Sequence, residues 1–135
     1  MKALNYALKL LKFRSYSING IKKKLKSKGF EENEIEEVVE KLKNYGYINE
    51  LEDAINYVKI KCSKGWSRKK IQMGLMRKNY SKEIIKEALN YYDENVVIEK
   101  LRREISRKNL DRERAIKLLR SRGFEWELIK SILKI

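Results

Sequence analysis

Apolar residues recur along this chain three or four places apart, the spacing of a helix face, and nowhere alternate as a strand would. After Ser17 come Ile21 and Leu25, then Lys28-Gly29-Phe30. The same order returns as Ser67, Ile71, Leu75 and Lys78-Asn79-Tyr80, and again as Asp111, Ala115, Leu119 and Arg122-Gly123-Phe124. Such self-similarity predicts an array of small helical modules rather than one irregular globule. Ser17, Ser67 and Asp111 can each accept hydrogen bonds from the free amides at a helix start. Gly29, Gly123 and Asn79 suit the left-handed conformation that closes a helix, and the aromatic that follows folds back over the last turn. Each stretch is therefore predicted to be a helix of about three turns.

A second helix is predicted after each closure. Its apolar positions are Ile35, Val38, Val39 and Leu42, then Ile85, Ala88, Leu89 and Tyr92, then Ile129, Ile132 and Leu133. A further helix precedes each repeat: Leu4, Leu8 and Leu11; Leu51, Ile55 and Val58, closed by Gly65-Trp66; and Val97, Leu101 and Ile105. The expected fold class is all-α, with three tandem three-helix modules over 1–46, 47–92 and 93–135. Each triplet is too small to bury much alone, and the linkers Tyr45-Gly46-Tyr47 and Tyr92-Asp93 are short. Neighbouring modules should therefore share burial in an elongated, curved repeat array.

Composition narrows this little further. With 42% hydrophobic and 39% charged residues, the chain is too apolar for disorder but has little core to spare. No apolar run exceeds that of Val96-Val97-Ile98, so no membrane span is expected, and the N-terminus lacks the layout of a secretion signal. Cys62 stands alone and suits a reducing cytoplasm, as a small semi-buried hydrophobe. Three fused modules reduce any need for self-association, so a monomer is expected.

Charge changes the picture more. The net charge is +14, and the stretches 17–28, 67–79 and 111–123 carry +5, +5 and +3 of it, whereas 31–46 carries −4. Lysine-rich coding bias would scatter these cations; instead they concentrate on equivalent helices, the footprint of a polyanion binder. With Ile21 and Leu25 turned inward, Lys23 and Lys26 point outward, as do Lys117 and Arg120 in the third module. The matching residues of the second are Met73 and Met76. They are expected to pack against an adjacent module, the alternative being an adaptable apolar contact with a protein partner.

Catalytic chemistry is missing. There is no histidine, and one cysteine cannot build the usual zinc sites. No Gly-Lys pair exists to start a phosphate-cradling loop. Ser67-Arg68-Lys69-Lys70 and Ser131-Ile132-Leu133-Lys134 match a Ser-x-x-Lys pattern without its companion motifs. A binding protein without cofactor or metal is expected, not an enzyme.

The order Ala7-Leu8 to Leu11, Arg14-Ser15-Tyr16-Ser17, Lys24-Leu25 and Lys28-Gly29-Phe30, running on through Ile35, Val38 and Leu42 to Gly46-Tyr47-Ile48, resembles the RecX family of regulators of the RecA recombinase. Lys64-Gly65-Trp66, with the basic helix Arg68 to Leu75, extends the resemblance to the second module, and it covers essentially the whole chain. Two places depart from the family pattern. Asn49-Glu50 stands where the family has paired aspartates, leaving capping to Asn49, and Lys78-Asn79-Tyr80 replaces a Lys-Gly-Ile end.

The resemblance implies an inhibitor that lies in the groove of RecA filaments on single-stranded DNA. It would suppress filament growth, ATP hydrolysis and strand exchange, and with them filament-dependent repressor cleavage in DNA repair, recombination and the SOS response. The residues expected to touch phosphates or acidic filament surface are Lys22, Lys23, Lys24, Lys26, Arg68, Lys69, Lys70, Arg112, Arg114, Lys117 and Arg120. Met73 and Met76 are the candidate protein contacts. Weak binding to single-stranded DNA, and to duplex DNA, would accompany this. The alternatives are a non-specific DNA-binding helical repeat acting without RecA and a scaffold for an unrelated acidic protein.

Overall fold

The computed structural model describes residues 2–135, and among them every regular element is a helix. α1 (Lys2–Phe13), α2 (Ile18–Ser27) and α3 (Glu32–Asn44) form a first triplet. α4 (Glu50–Ser63), α5 (Arg68–Arg77) and α6 (Lys82–Leu89) form a second, and α7 (Glu94–Arg107), α8 (Arg112–Ser121) and α9 (Trp126–Leu133) a third.

The local signals work as the repeat predicts. Ser17, Ser67 and Asp111 accept from the amides of Gly20, Lys70 and Arg114 at 2.9, 3.1 and 2.9 Å, capping α2, α5 and α8. Gly29, Asn79 and Gly123 take φ of +100°, +66° and +94°. The amides of Phe30, Tyr80 and Phe124 then reach back to the carbonyls of Leu25, Leu75 and Leu119. The same closure ends α3, α4 and α7, at Gly46, Gly65 and Asn109.

Three expectations need correction. α6 stops at Leu89, so Tyr92 is not on its face: the amides of Asn90, Tyr91 and Tyr92 bond three residues back, tightening the chain into the turn before α7. The first helices are also rotated from the large-residue pattern. In α1 the buried residues are Ala3 and Ala7, with Leu4, Leu8 and Leu11 half-buried beside them; in α4 they are Ala54, Val58 and Cys62. Small side chains let these helices approach their neighbours closely, and the larger ones wrap the seam. The Asn49 side chain makes no capping bond at the start of α4; its Nδ2 donates to Glu52 Oε2 at 2.9 Å instead.

Burial divides the chain unevenly. α1 to α3 enclose one core around Ile21, Leu25, Val38 and Leu42, to which Ile48 is added. The second and third triplets share a single core that runs from Val58 and Leu75 through Leu101 to Leu119 and Ile129. The accessible surface is 9115 Å² for 16.2 kDa. A compact monomer of that mass exposes about 7,500 Å². The excess is that of an elongated molecule.

Candidate nucleic-acid interface

The two junctions between triplets follow one scheme. Ser17 Oγ, besides accepting from Gly20, donates to the Lys78 carbonyl at the end of α5, at 2.6 Å. Ser67 Oγ likewise donates to the Gly123 carbonyl at the end of α8, at 2.9 Å, and the Ser67 amide donates to Arg122 O at 2.8 Å. These two serines are 1% and 4% exposed. Because each hydroxyl ties the start of one middle helix to the end of the next, α8, α5 and α2 succeed one another head to tail. Ten residues each give a track on the order of 45 Å along its path.

That track carries the basic residues singled out from the sequence, and the structure divides them into two sets. Five make internal contacts: Lys22 pairs with Glu36 at 3.3 Å and Lys69 with Glu125 at 2.7 Å. Lys23 donates to Asn79 Oδ1, Lys70 to the Ser121 carbonyl, and Arg120 lies over the Trp126 ring. The side chains of Lys24, Lys26, Arg68, Arg112, Arg114 and Lys117 are exposed and make no hydrogen bond or ion pair among the described residues. Exposed pairs such as Lys69–Glu125 are worth little in water and exchange readily for a polyanion. Their mutual contact holds the Lys69 ammonium above its usual pKa and the Glu125 carboxyl below. Lys61 registers the density of charge: burial first, then the neighbouring charges of Lys64, Lys78 and Lys70, push its ammonium below the usual range.

Met73 and Met76 are 49% and 59% exposed, so neither is enclosed by an adjacent triplet. Met73 instead borders a cleft with Lys69, Arg77, Arg120 and Trp126, and Met76 borders one with Lys22 and Lys23. Several residues that build the junctions and the basic surface escape the sequence pattern. Glu50 Oε1 accepts from the Ile18 amide at 2.6 Å, so the acid beside Asn49 caps α2 across the junction. Arg122 donates to Lys64 O and to Glu104, both at 2.7 Å, and so binds the end of α8 to α4 and α7. Arg14, Arg77 and Lys78 also belong to the basic surface. The available signal was the recurrent cation before each closing turn, Lys28, Lys78 and Arg122, a position too regular for decoration.

The family model of the first three-helix domain of RecX matches residues 3–42, the span of α1 to α3. Regulatory protein RecX of Pelodictyon phaeoclathratiforme is 34% identical over 142 residues, covering 98% of this chain and 88% of its own length. The chain belongs to the RecX family. RecX of Caldanaerobacter subterraneus subsp. tengcongensis is also 34% identical, over 99% of this chain and 70% of the relative. The crystal structure of RecX from Lactobacillus salivarius superposes with a TM-score of 0.78 over 98% of this chain and 93% of that one. At 24% identity this likeness speaks for the fold, a helical repeat. Membership makes the chain one of a family of regulatory proteins. No helix among the described residues is long and apolar enough to cross a membrane.

Proposed function

We propose that this chain restrains a RecA recombinase by lying along the groove of the RecA filament on single-stranded DNA. It limits filament growth, and with it ATP hydrolysis and strand exchange. The observation that carries the reading is the head-to-tail order of α8, α5 and α2. That order joins three basic helix faces into one track long enough to meet several repeats of a polyanionic lattice. Many weak contacts on such a track gain affinity through effective concentration, with no single strong site. The unpaired cations, Lys24 and Lys26 at one end and Arg112, Arg114 and Lys117 at the other, meet phosphates or acidic filament surface.

The test is ATP hydrolysis by cognate RecA on excess single-stranded DNA at moderate salt, with this protein titrated from far below the RecA concentration. Inhibition at substoichiometric amounts is expected. Replacing those five cations with glutamine should raise the half-inhibitory concentration at least about tenfold, since each lost phosphate contact weakens binding and flattens its salt dependence. No inhibition, alongside intact salt-sensitive DNA binding, would leave a general nucleic-acid binder in place of a RecA regulator.

A further inference from the structure

The junctions share a scheme, but one position within it differs. Counted from the capping serine, Lys70 in α5 corresponds to Gly20 in α2. At the second junction the Lys70 side chain fills the space between α5 and the end of α8. Its ammonium donates to Ser121 O at 2.7 Å and lies 4.3 Å from the Trp66 ring centroid. At the first junction Gly20 has no side chain to place there. What remains is a cleft of about 530 Å³ between α2, the α1–α2 loop and the end of α5.

Five cations line this cleft, Arg14, Lys23, Lys24, Arg77 and Lys78, and no carboxylate does. None of the five forms a salt bridge among the described residues. Of the neutral lining residues, Tyr16 and Asn79 add hydroxyl and amide donors, whereas the Ser15 hydroxyl is engaged by Asp53, a carboxylate outside the cleft whose charge also reaches Lys78. We propose that the cleft is a phosphate-binding site. An oxyanion there takes charge-assisted hydrogen bonds from both sides of the junction, from Arg14, Lys23 and Lys24 of the first triplet and from Arg77 and Lys78 of the second. It thereby supplies the cross-junction link that Lys70 supplies within the protein at the other junction. Since the first triplet has a core of its own, an anion in this position stiffens the one junction that apolar burial leaves free.

The proposal extends the polyanion reading of the basic track, and it is tested without RecA, so each reading can fail alone. The ¹⁵N-labelled protein is titrated at constant ionic strength with inorganic phosphate, and separately with the oligonucleotide dT6. Saturable movement of the amide signals of residues 14–24 and 77–79 is expected, with those of 64–70 and 121–123 still. Gly20→Lys copies the lysine that fills the second junction and should weaken half-saturation about tenfold or more. Arg77→Gln, an exposed side chain whose loss leaves the fold intact, should do so by about tenfold, the worth of one charged hydrogen bond. A response to phosphate as tight as that to dT6 assigns a free anion; a much tighter response to dT6 assigns the backbone of a nucleic-acid strand. If neither probe moves the cleft signals beyond those of the Lys70-filled junction, or if both variants bind as the parent does, the cleft is not a phosphate site.

Discussion

The two junctions of this molecule repeat the same serine-to-carbonyl bond, yet one is packed and the other is open. Around Ser67, Gly123 approaches so closely that an added Cβ would stand 2.5 Å from Ser67 Oγ and 2.6 Å from Lys70 Cβ. A shared apolar core lies beneath, and Lys70 fills the remaining space. Around Ser17 the equivalent of Gly123 is Asn79, held by Lys23 through its side chain at 2.6 Å, and no core crosses the boundary. The hydrogen bond thus sets the order and direction of the helices, whereas burial and close approach decide how firmly neighbours are held. One repeat can be stiff at one seam and adjustable at the next without changing its cap residues.

Replacing glycine tests this contrast most severely. At Gly123 an alanine meets both a left-handed backbone and overlap with Ser67 and Lys70, a cost of about 3 kcal/mol. The midpoint of the calorimetric transition should fall by about 10 °C. At Gly29, which shares the positive φ but faces open space, the same change should cost about 1 kcal/mol. Equal losses at the two positions would show that the second junction is no tighter than a free helix end.

Acid comes next. Glu104 is 8% exposed; burial alone would raise its pKa, but the hydrogen bonds and charges of Lys108 and Arg122 outweigh this and hold the carboxyl below its ordinary 4.5. A depressed carboxyl contributes stability that is complete above the unfolded value and lost as pH falls through the folded one. Glu104→Gln should therefore cost about 2 kcal/mol at pH 7. It should also flatten the loss of stability below about pH 4.5, followed by urea midpoints across pH. A parent and variant with parallel pH profiles would remove Glu104 from the account of the packed seam.

The smallest effect is expected at Tyr92, whose buried hydroxyl faces the Arg68 amide without closing a hydrogen bond of good geometry. Burial first, then the charge of Glu94, pushes its pKa up to about 12. Tyr92→Phe should leave stability unchanged or raise it by up to about 1 kcal/mol, since an unpartnered polar group is removed from the shared core. A clear loss in the urea midpoint would mean that the hydroxyl has a partner after all.

What the sequence made legible was local. Caps at Ser17, Ser67 and Asp111 and stops at Gly29, Asn79 and Gly123 depend on a few neighbouring residues, so their chemistry reads directly from the chain. The faces of α1 and α4 were misjudged because Ala3, Ala7 and Ala54 gain their burial from partner helices, and nothing in their own size announces it. The donation from Ser17 to Lys78 spans 61 positions and has no local signal. Among the site residues, basic clustering singled out α2, α5 and α8, the helices that the structure joins end to end. It could not separate Lys24 and Lys117, left in solvent, from Lys22 and Lys70, which contact the protein itself. Gly20 against Lys70 was visible as a broken repeat, but its meaning needed the cleft.

The uneven division of the core has an optical consequence. Both tryptophans follow the first triplet, and Trp66 packs on the shared core with the ammonium groups of Lys61 and Lys70 each 4.3 Å from its ring. The first triplet holds tyrosine and phenylalanine as its only chromophoric rings. Indole emission is therefore blind to a third of the chain. A melt followed by fluorescence describes α4 to α9, and its difference from one followed by backbone ellipticity is the spectral trace of α1 to α3.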